Sequence, residues 1–183
     1  MSVPAFAFRA LPWNVVFGPG RIAEVAQVVE RVGGRRALLL CTPGQRGHAE
    51  RIATLLGPAA AGIFDSAVMH VPAATVAAAK AVVATSGADT AISIGGGSTT
   101  GLAKILKLHD GIRHVAVATT YAGSEMTNIW AITDGDRKTT GRDGIVPAAS
   151  ANELKPEIDD ETLRHVIFYQ ATLAPAARRN VKD

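Results

Sequence analysis

Three successive glycines followed by hydroxyl residues form the segment of the sequence with the clearest chemical potential, Gly95-Gly96-Gly97-Ser98. It follows the apolar run 91–94 and precedes a stretch with helical periodicity. Glycines let a backbone approach a diphosphate without a Cβ clash, and the N-terminus of a helix favours an anion. Ser98, with Thr99 and Thr100 after it, adds an N-cap and hydroxyl donors. The pattern predicts a phosphate-binding turn, with a tight strand-to-helix turn as the alternative.

A second glycine turn competes for the same role. Residues 18–23 match the letters G-x-G-x-x-A between an apolar run and a helical pattern, as in a dinucleotide-binding fingerprint. That fingerprint also needs an acidic residue about twenty positions on, where it binds the ribose. The corresponding strand ends in Cys41-Thr42-Pro43 and carries no acid. The match is therefore weak and favours a plain turn.

Polar residues also follow the apolar run 115–118, beginning with Thr119 and Thr120. Ligands of open α/β sheets bind in the crevice outside the carboxyl ends of the strands. Thr119 and Thr120 are thus candidates for contact with a nicotinamide amide or ribose, although threonines are also ordinary strand-end residues.

The elements that would position these groups alternate along the chain. Strands are predicted at 14–17, 37–40, 63–68, 90–94 and 115–118, and helices at 21–32, 45–56, 72–85 and 98–108. Alternation of this kind predicts an α/β fold, a Rossmann-like parallel sheet with helices on both faces. After Thr120 the pattern changes to a hairpin over 129–140, an aperiodic stretch over 144–161 and a strand-like run at 165–169.

Composition excludes several classes of function. The 183 residues fit one α/β domain, and 48% hydrophobic residues exclude intrinsic disorder for most of the chain. The net charge of +3 comes from scattered basic residues, which predicts no nucleic-acid partner but favours an anionic ligand. Cys41 is the only cysteine, so an intramolecular disulfide is impossible. The sequence has no apolar run long enough to span a membrane, so it predicts no membrane partner. A cytoplasmic protein is expected.

Two segments together resemble a known family. Residues 95–104 and 119–127 resemble the nucleotide-binding half of the iron-containing alcohol dehydrogenase superfamily. The letters T-T-Y-A-G-S-E-M-T, followed by K-T-T-G-R-D at 138–143, are most similar to the maleylacetate reductases of that superfamily. The resemblance covers residues 8–143 and implies a dehydroquinate synthase-like N-terminal domain.

The resemblance implies a site for NADH or NADPH, with both cofactors usable because the acid near Cys41 is missing. It implies that the turn holds the pyrophosphate, that Thr119 and Thr120 face the nicotinamide, and that residues 41–43 lie along the adenosine. It implies reduction of the dicarboxylate maleylacetate to 3-oxoadipate in the degradation of aromatic compounds. The cofactor-binding residues are then Gly95, Gly96, Gly97, Ser98, Thr119, Thr120, Cys41, Thr42, Pro43 and Lys138, and Tyr121 and Arg142 are substrate-side candidates.

The chain also departs from the family pattern. The family continues into a helical domain, so we expect a dinucleotide-binding domain over 1–143, a divergent and partly irregular tail over 144–183, and a truncated, poorly active chain that lacks the helical domain. The five histidines show no i, i+4 pair, which predicts no metal in this chain. The resemblance implies a possible homodimer through the strand at 5–17. A non-catalytic NAD(P)-binding module, another member of the superfamily and a purely structural domain stay open as alternatives.

Overall fold

A parallel sheet forms the centre of the computed structural model, which describes residues 14–142. Its strands are β1 (Ala37–Leu40), β2 (Ala60–Phe64), β3 (Thr90–Gly95) and β4 (Arg113–Ala118), arranged in the order β2-β1-β3-β4. Every pairing between them is parallel. The predicted Rossmann-like fold is confirmed.

Four helices connect and cover the strands. They are α1 (Val25–Arg31), entered through a 3-10 turn at Arg21–Glu24, α2 (Arg46–Leu56), α3 (Ala73–Ser86) and α4 (Gly97–Asp110). Helix α3 begins after Pro72 and ends at Gly87, whose φ of 63° places it in the left-handed region that commonly ends helices. Each lies close to its predicted position.

The side chains of the central strands alternate between two hydrophobic clusters. Leu38, Leu40 and Ala91 point to one cluster, which also contains the buried residues of α3 and α4. Leu39 and Ile92 point to the other, which contains the buried residues of α1 and α2. All residues of β1 and β3 are buried, as expected for strands covered on both faces.

Two predicted strands differ from the structure. Residues 14–17 form no strand within the described part of the chain, and Phe17 is 93% exposed. The third predicted strand, 63–68, is displaced, because β2 occupies Ala60–Phe64 and residues 65–68 continue beyond the sheet. The small residues Ala60, Ala61 and Gly62 carry little hydrophobic signal, so pattern alone misplaced its start.

An antiparallel hairpin follows the sheet, as predicted, with β5 (Ile129–Asp134) paired to β6 (Arg137–Arg142). Strand β5 is attached to the loop before α3, since the backbone N–H of Thr133 donates to Val71 O at 3.1 Å and its hydroxyl donates to His70 O at 2.8 Å. The predictions for residues 5–13 and 143–183, including the domain boundary, the tail and the dimer strand, lie outside the described residues. Within residues 14–142, the structure contains no helix that is both long and apolar enough to span a membrane.

One histidine of β4, His114, is partly buried beside β3. The Nε2 atom of His114 lies 2.8 Å from the Ser93 hydroxyl on β3. Burial, followed by the positive charges of Lys104 and Lys107, lowers the pKa of His114 to about 4. His114 is therefore neutral in the folded protein at neutral pH.

This shift predicts acid sensitivity. An unfolded histidine takes up its proton near its ordinary pKa of about 6.5, so between that pH and about 4 the unfolded state binds more protons and stability falls as the pH falls. We expect the loss to reach at most about 3 kcal/mol, because His114 retains some exposed surface. Chemical denaturation of wild type and His114→Gln at several pH values measures the difference. An equal pH dependence in the two proteins would contradict the assignment.

Candidate functional site

The site is built at the carboxyl edge of the sheet, where the ends of three strands converge. The chain passes from β1 outward to β2 and returns to β3 on the other side, so β1 and β3 flank the point at which the strand order reverses. The backbone N–H of Thr119, after β4, donates to Gly95 O at 2.9 Å. The side-chain amide of Gln45, after β1, donates to the Thr119 hydroxyl at 2.8 Å. These bonds join the three predicted segments into one unit.

The three glycines of the turn have different surroundings. Gly95 has a φ of 143°, and a Cβ there would lie 2.5 Å from Gln45 Oε1. A Cβ on Gly96 would lie 2.6 Å from the Thr120 hydroxyl. Both positions therefore exclude side chains because of the protein's own packing. A Cβ on Gly97 would meet no protein atom within 4 Å, so only the third glycine leaves open space at the start of α4.

Only part of the hydroxyl cluster at the start of α4 is accessible from outside the protein. Thr99 and Thr100 are buried, and the Thr99 hydroxyl donates to Gly96 O at 3.1 Å. The structure does not fit the expectation that these two threonines supply hydroxyl donors to a ligand, since both are buried and the Thr99 hydroxyl bonds within the turn. Ser98 is partly exposed and remains accessible.

A cleft of about 470 Å³ opens beside this turn. Its walls come from the first turns of α4, the segment after Thr120, the hairpin and the loop before α3. The lining includes Ser98, Trp130 and the predicted site residue Lys138, and among residues 14–142 no Asp or Glu side chain lines it. The chemistry of the cleft therefore favours an anionic or neutral ligand over a cation.

The remaining predicted site residues occupy varied positions. The Cys41 side chain is fully buried, and burial, followed by the charge of Asp65, raises the pKa of its thiol. Thr42 and Pro43 retain accessible surface beside it. Tyr121 is fully exposed after β4, and Arg142 pairs with Ile129 at the end of the hairpin away from its turn. Neither Tyr121 nor Arg142 lines the cleft in the described part of the chain.

Lys104 is a buried residue that helps to hold the site together, and the sequence patterns did not single it out. It lies on α4 with only 8% of its surface exposed. Its ammonium donates to Ser124 O at 2.5 Å, to the Thr127 hydroxyl at 3.1 Å and to Ile129 O at 2.8 Å. The bonds tie the helix of the phosphate turn to the segment that leads into the hairpin. The available signal was a lysine among the apolar residues of α4, such as Leu102, Ala103 and Ile105.

Comparison with known proteins defines the class of the chain. Residues 12–153 match the model of the family described as iron-containing alcohol dehydrogenase. The chain belongs to this family.

Particular relatives carry a common name. Maleylacetate reductase 2 of Cupriavidus pinatubonensis is 53% identical over 182 residues, which cover 96% of this chain and 51% of that protein. Maleylacetate reductase of Sphingobium indicum is 51% identical over 138 residues, covering 75% of this chain and 39% of that protein. The crystal structure of maleylacetate reductase from Agrobacterium tumefaciens aligns with a TM-score of 0.74 and 43% identity, covering 77% of this chain and 40% of that one. The chain thus spans about half the length, or less, of the relatives it matches.

The position of Lys104 predicts a measurable role in stability. Lys104→Met leaves the carbonyls of Ser124 and Ile129 without this donor, and we expect it to lower the free energy of unfolding by about 1–3 kcal/mol. The control is Lys80→Met, which removes a partly exposed ion pair with Asp110 at 3.2 Å and should cost less than about 1 kcal/mol. Denaturant titration of both variants measures the difference. An equal loss of unfolding free energy in the two variants would show that the buried hydrogen bonds of Lys104 stabilise the fold no more than the exposed ion pair does.

Proposed function

We propose that this chain forms the NAD(P)H-binding part of a maleylacetate reductase-type oxidoreductase. The observation that carries the proposal is the open N-terminal turn of α4 at Gly97, beside Thr119 and Thr120, at the carboxyl edge of a parallel sheet. The names of the relatives support the choice of reaction, since maleylacetate reductases match at up to 53% identity in the comparisons reported above. The reaction proposed is reduction of the carbon–carbon double bond of maleylacetate to give 3-oxoadipate.

The chain's own residues suit a dinucleotide. The backbone N–H groups of Gly97 and Ser98, in the first turn of α4, have no carbonyl partner within their own helix and favour a diphosphate. Thr119 and Thr120 lie on the β4 side of this turn and Thr42 and Pro43 on the β1 side. We assign the first pair to the nicotinamide half and the second to the adenosine half, with Cys41 contributing backbone only because its thiol is buried.

The cofactor supplies hydride, and the protein supplies position and field. The bonds from Gln45 to Thr119 and from Thr119 to Gly95 fix the strand ends before a ligand arrives, so little ordering is needed on binding. Lys138, in the cleft, offers a cation to a phosphate or to a carboxylate of the acceptor.

The described residues offer no set of ligands for the iron that gives the family its name. Within residues 14–142, no group of three or more His, Cys, Asp and Glu side chains could hold a metal ion. We therefore assign no step of the reaction to a metal held by this part of the chain.

The cofactor assignment predicts the effect of one substitution. A side chain at Gly97 meets open space in the protein, so Gly97→Val should fold normally yet occupy the position proposed for the diphosphate. We expect NADH affinity, measured by calorimetry, to fall at least about a hundredfold, about 3 kcal/mol. The control is Ala84→Val on the exposed face of α3, which should leave NADH affinity unchanged. Unchanged affinity in a folded Gly97→Val protein would contradict the assignment.

A second prediction concerns turnover. Holding an acceptor in line with a hydride donor can contribute about 7–11 kcal/mol to a rate. Since these 183 residues correspond to about half of the curated relative that they match over most of their length, we expect a polypeptide limited to them to bind NADH but to reduce maleylacetate slowly. Loss of NADH absorbance with maleylacetate measures the rate. Binding without any turnover favours the non-catalytic module, and turnover at an ordinary enzymatic rate would contradict the prediction.

A further inference from the structure

Two adjacent residues before α3 have a backbone conformation that their side chains disfavour. His70 has a φ of 66° and Val71 a φ of 47°, although neither is glycine. A β-branched residue is a genuine outlier in the left-handed region. Strained residues persist only where the surrounding structure fixes them, and they concentrate at functional sites. Contacts with the surrounding structure must therefore hold residues 70 and 71 in this conformation.

The cause lies in the two elements that flank the turn. Strand β5 holds its backbone, since Thr133 donates to both His70 O and Val71 O. Helix α4 holds its side chain, because buried Val71 packs so closely on Gly101 that a Cβ on that glycine would lie 2.9 Å from Val71 Cγ2. The glycine thus forms a notch for Val71, and the strain is imposed from both sides.

The consequence is the position of His70. With Val71 fixed in the notch, His70 is exposed and lines the 470 Å³ cleft. Ser98 and Gly101 lie one helical turn apart on α4, so the notch sets the strained turn beside the accessible serine. His70 and Lys138 are the titratable side chains that line the cleft in the described residues.

We propose that His70 is a substrate-binding residue that holds a carboxylate of a small dicarboxylate together with Lys138. The inference rests on the proposed function, which places the cofactor diphosphate at the edge of the cleft formed by Gly97 and Ser98 and leaves the side lined by His70 and Lys138 to the acceptor. The imidazole donates an N–H hydrogen bond and the ammonium supplies a charge-assisted one, which a carboxylate can accept together. The diphosphate finds its donors in the backbone of the α4 turn and has no need of the imidazole. The strain at residues 70–71 then serves to present one side chain to the ligand.

The test compares a dicarboxylate with the cofactor. Calorimetry of the 183-residue protein with 3-oxoadipate, and separately with NADH, gives the two affinities. His70→Asn keeps a residue that tolerates the left-handed region but removes the imidazole. We expect its Kd for 3-oxoadipate to rise about tenfold or more, while its Kd for NADH stays within about twofold. His109→Asn, the same change near the C-terminal end of α4, should alter neither affinity.

The other outcomes are decisive. An unchanged Kd for 3-oxoadipate in His70→Asn, or no binding of this ligand to wild type, would overturn the inference and leave the cofactor assignment standing. A parallel loss of NADH affinity would place His70 in the cofactor subsite and would also overturn it. Failure of wild type to bind NADH would instead reject the proposed function, while 3-oxoadipate binding still reports on His70. If His70→Asn does not fold, His70→Gly, which has no strain at this φ, replaces it with the same expectations.

Discussion

The structure depends on a constraint at the turn between β3 and α4, where the backbone passes close to the segments that follow β1 and β4. Gly95 lies against Gln45 and Gly96 against Thr120, at distances that leave no room for a Cβ. Because these contacts are internal, the turn has its shape before any ligand is present. The close packing brings the α4 N-terminus to the same edge as the residues after β1 and β4, and that proximity is what makes a dinucleotide site possible there.

A second constraint carries the geometry from the sheet to the hairpin. The hairpin lies outside the parallel sheet, and polar bonds help to hold it against α4 and the loop before α3. Lys104 contributes from α4 and Thr133 from β5. A buried ammonium is costly to desolvate, so its bonds to carbonyl and hydroxyl oxygens are needed to offset that cost. The result is that side-chain hydrogen bonds help to fix the hairpin wall of the cleft, whereas the turn after β3 positions the wall formed by the start of α4.

Much of the fold followed from the sequence because its signals are local. The buried run at 37–40, the proline and glycine that bound α3, and the Asp134-Gly135-Asp136 turn each specify an element through periodicity or capping. Residues 14–17 show the limit, since an apolar run predicts a strand only if a partner strand is available. The meeting of the glycine turn and the threonines after β4 at one edge of the sheet was predictable from the sequence. Lys104 was not, because a lysine in a helix ordinarily predicts solvent exposure, and its acceptors lie 20–25 residues further along the chain.

The two walls of the cleft have different freedom to change. The wall at the start of α4 follows the turn after β3, where a side chain at Gly95 or Gly96 would collide with the protein itself. The wall at the hairpin is made of side chains, among them Lys138, whose replacement leaves the backbone pairing of β5 and β6 intact. A dinucleotide has the same diphosphate whatever the acceptor, so a fixed backbone suits it, whereas acceptors differ in shape and charge. Under the function proposed above, discrimination between acceptors belongs to the hairpin and the strained turn that it holds, and the acceptor can vary without disturbing the residues proposed for the diphosphate.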